Sequence, residues 1–212
     1  MANTFNQKNK RWLLLPFFGI LLYILLYVAA TFFYPGGNQV DENFKGFSWA
    51  QNYWCNLLNV NAINGQHNSA RPVAIAAMAI LGSSLAGFWC IFPRVAGLNK
   101  TAGTIIQVSG FIAMALLIFL STAHHDIIIN TATLAGLIAI AGTFAGLQKL
   151  KWKKLFWFGI GNVLLIAINN IFYYDEKLIV YLPIIQKITF LLFLIWFCLV
   201  DINLYKRESG KG

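Results

Sequence analysis

Six apolar runs, each about twenty residues long, decide what this 212-residue chain can fold into. A helix rises 1.5 Å per residue, so about twenty residues cross the roughly 30 Å of a bilayer's hydrocarbon. Inside that hydrocarbon every backbone N–H and C=O needs an internal partner, and a helix supplies all of them. The runs fall near 12–33, 73–92, 102–121, 127–147, 155–174 and 178–204. They predict an all-α, polytopic membrane bundle of six transmembrane helices, a single integral membrane domain over 1–212.

Composition agrees. Charged residues make up 11% of the chain and hydrophobic ones 58%, whereas soluble domains carry about 25% charged residues. The net charge of +9 does not point to nucleic acid, because the charges sit between the spans and not on one soluble face. Three Cys without a CxxC make no disulfide framework; Cys90 and Cys198 lie in apolar runs and read as small hydrophobes.

The first run follows Lys8, Lys10 and Arg11 and is too long for a signal-peptide core, so it reads as a retained span. Pro16 falls near its start, and Tyr34-Pro35-Gly36-Gly37 ends it. Residues 34–72 form the one long polar segment. Within it, Ala50, Tyr53, Trp54, Leu57 and Leu58 recur at helical spacing and predict a short interfacial helix over 47–63, a lid with its rings at headgroup depth. Span two is rich in Ala, Gly and Ser and span four in Ala and Gly, small residues that let helix backbones approach closely in lipid.

Orientation follows from counting basic residues. With the N-terminus in the cytoplasm, Lys8, Lys10, Arg11, Arg94, Lys100, Lys149, Lys151, Lys153, Lys154, Lys206, Arg207 and Lys211 lie inside. Only Lys45, Arg71 and Lys177 lie outside, and Lys187 falls within span six. The positive-inside rule therefore places both termini in the cytoplasm of a cell inner (plasma) membrane, with the long loop outside. The basic inner links attract anionic lipid headgroups.

This topology puts all three His on the outer side. His124, His125 and Asp126 sit at the turn between spans three and four, and His67 lies in the loop. Asn130 is one turn into span four, and Asn169 and Asn170 close span five. Lys187, a charge inside a span, is expected to face a wet cavity and to pair with Asp126, Asp175 or Glu176. Together with Trp54 above them, His124, His125, Asp126, Asn130, Asn169, Asn170 and Lys187 outline one ligand-binding pocket. Imidazole and carboxylate also bind zinc, so His67, His124 and Asp126 form a candidate metal set, although adjacent His rarely face one ion. The plainer readings are a wet turn for the His pair, a helix cap for Asp126 and an outward-snorkelling Lys187.

The six runs, the segment NYWCNLLNVNAINGQHNSARPVA and the HHD turn resemble small bacterial six-span membrane proteins, distantly similar to the DRAM/Frag-like family. That resemblance implies the architecture and carries over no catalytic residue. Through its WCN segment with His and Asp further on, the chain is also similar to alkaline ceramidase-like membrane hydrolases. It departs from them in lacking a late paired-His motif and a seventh span. The expectation is a protein without cofactor that binds a lipid or small amphiphile. A zinc-dependent lipid hydrolase is the alternative, and so is an accessory subunit that docks a second copy or another membrane protein.

Overall fold

A computed structural model describes residues 7–117 and 125–210, with side chains over 11–116 and 131–210. The fold is all-α. Its helices are α1 (Leu15–Thr31), α2 (Arg71–Val95), α3 (Lys100–Leu117), α4 (His125–Lys149), α5 (Lys153–Tyr174) and α6 (Leu182–Ser209). Among the described residues three 3-10 helices accompany them, at Gln7–Leu14, Trp54–Leu58 and Ile179–Tyr181. Among the described residues five helical segments are long and apolar enough to cross a membrane, and α3 is a shorter apolar helix as far as it is described. The chain is therefore a helical membrane protein.

The chain packs as two compact units. One comprises residues 1–22, 78–158 and 196–212, and the other residues 23–77 and 159–195. The first unit is held by aromatic rings of α2 seated against small residues. Phe88 and Phe92 stack with centroids 5.3 Å apart, and Phe88 meets Phe197 edge-on at 4.9 Å. A Cβ on Gly110 of α3 would run into the Trp89 ring, and one on Gly146 of α4 would meet the Phe92 ring. Gly110 and Gly146 are thus seats for large rings, which supply packing where lipid gives no hydrophobic drive. Trp89 Nε1 also donates to Thr143 Oγ1 at 3.2 Å, so the indole is satisfied in the interior.

Helix ends explain where the boundaries differ from expectation. The link expected from Pro93 begins later, because α2 runs through Pro93 to Val95. Its end is a Schellman motif: Leu98 N–H donates to Pro93 O at 3.0 Å and Gly97 N–H to Arg94 O at 3.1 Å, with Gly97 at φ +68°. Arg207 Nη1 donates to Val95 O at 3.0 Å and Lys149 Nζ to Gly97 O, so side chains complete the cap. Span six, expected from 178, is α-helical only from Leu182. Asp175 Oδ1 accepts from Lys177 and Leu178 N–H, at 2.8 and 3.2 Å, and holds a turn and a 3-10 segment before it. The thiols of Cys55, Cys90 and Cys198 are free, and Cys90 is exposed on α2, not a buried hydrophobe.

Replacing Gly110 by Ala should destabilise the protein by about 1–3 kcal/mol, because the Trp89 ring has nowhere to go. Replacing Gly87, around which nothing lies within 4 Å, should be neutral or stabilising by up to about 1 kcal/mol. Unfolding in detergent, followed by Trp fluorescence, measures both.

Candidate functional site: an asparagine-built loop and the groove between α5 and α6

The loop over 34–72 is ordered by asparagine side chains and not by a helix. The helix expected over 47–63 is confined to the five-residue 3-10 helix Trp54–Leu58. Asn side chains take the amides that such a helix would need. Asn52 Oδ1 accepts from Ser48 N–H at 2.8 Å, and Asn56 Oδ1 from Tyr53 N–H at 2.7 Å. This is the competition that disfavours Asn inside helices. Four Asn of the loop, at 38, 52, 56 and 68, are buried. Asn68 is the centre of one half: its Nδ2 reaches Asn56 O, Leu57 O and Asn59 O at 2.9–3.2 Å, and its Oδ1 accepts from Ala70 N–H at 3.1 Å. Asn52 Nδ2 ties the other half by donating to Gly37 O at 2.8 Å. Gly37, at φ +80°, lies so close to the Ile63–Asn64 backbone that no side chain fits there.

Aromatic rings sit beneath this framework. Tyr34 Oη accepts from Ile63 N–H at 3.1 Å, and Tyr27 Oη donates to Trp54 O at 3.1 Å. The Trp54 ring lies 4.9 Å from Tyr27 and 5.5 Å from Trp49, centroid to centroid. Desolvation pushes the Tyr34 phenol above its ordinary value, partly offset by the Ile63 N–H, and desolvation likewise raises Tyr53. Both hydroxyls therefore stay neutral through the physiological range.

Lys187 fastens the loop to α6. Its ammonium donates to Asn52 O in the loop and to Pro183 O one turn back, at 2.9 Å for the latter. It also lies 5.6 Å from the centre of the Phe47 ring and 5.9 Å from that of Trp54. The expected pairing with Asp175 or Glu176 is replaced by carbonyls and ring faces. Trp54 adds a second tie, its N–H donating to Gln186 Oε1 at 3.4 Å.

A groove of about 410 Å³ opens between α5 and α6. Asn169, Asn170, Gln186 and Thr189 line it with polar groups, and Ile166, Leu182, Phe190 and Phe193 with apolar ones. Asn169 Nδ2 donates to Thr189 Oγ1 at 2.7 Å and to Leu165 O at 2.9 Å, which ties α5 to α6 there. Among the described residues no ionisable side chain lines the groove.

Of the residues singled out in the sequence, Asn169 and Asn170 are brought together here. Lys187 and Trp54 instead hold the loop against α6, and Trp54 reaches Gln186 through its backbone N–H. His67 is exposed in the loop, where it bridges Asn61. His124 lies outside the described residues, as do the side chains of His125, Asp126 and Asn130. Among the described residues no three His, Cys, Asp or Glu side chains gather as a metal set. Gln186 and Thr189 were missed because single polar residues in an apolar run carry no periodic signal.

Asp201 was missed as well, though a lone acid inside a span is itself a signal. It is 1% exposed, and its Oδ2 accepts the Phe17 N–H at 3.0 Å. Phe17 lies in the first turn of α1, where an N–H has no partner within the helix, and the Asp201 side chain gives it one.

Two substitutions test the loop. Asn68→Ala orphans buried carbonyls and should cost about 1–3 kcal/mol. Lys187→Met should speed amide exchange over residues 48–54 by about tenfold or more, because hydrogen bonds to a charged group contribute about 1.5–3 kcal/mol. Hydrogen–deuterium exchange by mass spectrometry reads both, and an unchanged loop in Lys187→Met would show that the ammonium does not hold it.

Compared with protein-family models, with curated proteins and with solved structures, the chain matches none.

Proposed function

We propose that the chain is a six-span inner-membrane protein, both termini cytoplasmic, that binds a lipid or small amphiphile in the groove between α5 and α6. The observation that carries this reading is the groove's mixed lining, in which polar Asn, Gln and Thr side chains stand beside apolar ones. Its volume of about 410 Å³ falls within the roughly 300–1,000 Å³ of small-molecule sites. Phe190, Phe193 and Ile166 offer an acyl chain apolar contact. Gln186 Nε2 and the exposed Asn170 offer a donor and an acceptor to a headgroup. Asn170 Nδ2 is engaged with Ile166 O at 3.1 Å, which leaves its Oδ1 as the acceptor.

The mechanism is binding by complementarity. An uncharged headgroup exchanges hydrogen bonds with water for bonds with amides already held in place. An acyl chain exchanges lipid contacts for ring contacts, and the Phe190 ring is held edge-on against Tyr23 at 5.8 Å. The loop contributes by positioning Gln186 through the Trp54 N–H.

A pyrene-labelled sixteen-carbon monoacylglycerol, titrated into purified protein in an uncharged detergent, tests the reading. Wild-type protein should bind it saturably. The double variant Asn170→Leu with Gln186→Leu should weaken binding about tenfold, at about 1 kcal/mol for each hydrogen bond lost. Equal binding by a double variant that elutes and unfolds like wild type would contradict the reading.

A further inference from the structure

The turn between α4 and α5 carries a second cavity, in the other unit and independent of the groove. It measures about 310 Å³ and is lined by Gln148, Lys151, Lys153, Phe156 and Trp157. Two cations and an amide thus face two aromatic rings. We propose that this cavity holds the phosphate of an anionic phospholipid, with Lys151 and Lys153 on the phosphate and Trp157 beside the glycerol and upper acyl chain.

Four observations support the assignment. First, Lys151 adopts φ +60°, the one non-glycine residue with positive φ among those described. It stands where a Schellman motif takes glycine: Trp152 N–H donates to Leu147 O at 3.0 Å and Lys151 N–H to Gln148 O at 2.9 Å. The equivalent position after α2 is Gly97, at φ +68°. A lysine kept in a strained conformation suited to glycine points to a use for its side chain. Second, the ammonium groups of Lys151 and Lys153 have no partner among the described residues, whereas the nearby Lys149 is engaged with Gly97 O. Third, the two rings are packed against neighbours. Phe156 meets Phe144 edge-on at 5.5 Å and Trp157 at 5.4 Å, and the adjacent Leu155 carbonyl accepts from Trp196 Nε1 at 2.7 Å. Fourth, Trp157 is 67% exposed one turn into an apolar helix, the position of an interfacial anchor. Two cations beside an exposed indole match a headgroup that is negative at one end and apolar at the other.

The experiment uses full-length protein in dodecyl maltoside, with native mass spectrometry counting bound lipid and thermal unfolding followed in parallel. Phosphatidylglycerol should bind and raise the unfolding temperature, and phosphatidylcholine should do so far more weakly. Lys151→Gly and Lys153→Ala should each weaken phosphatidylglycerol binding about fivefold. Lys151→Gly relieves the backbone, so its unfolding temperature without lipid should equal or exceed that of wild type, which separates lost binding from lost fold. Lys206→Ala, which removes an exposed charge from the last turn of α6, should bind as wild type. Equal loss in Lys206→Ala would show diffuse attraction and overturn the site. Equal binding of phosphatidylcholine would overturn the role of charge. A matching shift with inorganic phosphate alone would make it a free-anion site and overturn the lipid.

Discussion

A single ammonium inside an apolar helix organises the unit that contains the groove. Lys187 cannot be left bare there, because an unpaired charge away from water is costly. The Asn52 and Pro183 carbonyls and the faces of Phe47 and Trp54 satisfy it. Only one of those carbonyls belongs to its own helix, so satisfying the charge draws the loop onto α6. Once the loop is there, Trp54 N–H meets Gln186 Oε1, and a wall of the groove is positioned. Stability and site geometry thus share one cause in this unit.

The other unit follows from the same accounting applied to helix ends. The last carbonyls of α2 are taken by its own returning amides and by Arg207, and Lys149 takes the Gly97 carbonyl just beyond them. In the first turn of α1 the Phe17 amide is taken by Asp201. After α4 the same returning turn forms with lysine in place of glycine. In each case a backbone group that membrane or protein interior would leave bare finds a named partner. Large rings of α2 on Gly110 and Gly146 then fill the space between the helices.

Much of the architecture was legible because hydropathy is a long-range signal averaged over twenty residues. The positions of α1, α2, α4, α5 and α6 follow the apolar runs closely. The loop was misread because helical spacing of Tyr53, Trp54, Leu57 and Leu58 was weighed without the Asn between them. Asn52 and Asn56 take the local amides, and spacing says nothing of that contest. Lys187 was legible as a charge needing a partner, but not the partner, since a backbone carbonyl more than a hundred residues away leaves no mark in composition. Asn169 and Asn170 were legible as polar residues closing a span. Their groove partners Gln186 and Thr189 became visible only when α5 and α6 were laid side by side.

The central claim is that the groove between α5 and α6 is a specific amphiphile site and not ordinary lipid-facing surface. Photo-crosslinking in native membranes tests it most directly, with benzoylphenylalanine at Phe193 in the groove and, as the control, at Ile171, which is 61% exposed on α5. Intact-mass analysis then reads what each position captured. A discrete adduct at position 193, distinct from the bulk lipid spread captured at position 171, is the predicted result. The same bulk spread at both positions would contradict the account.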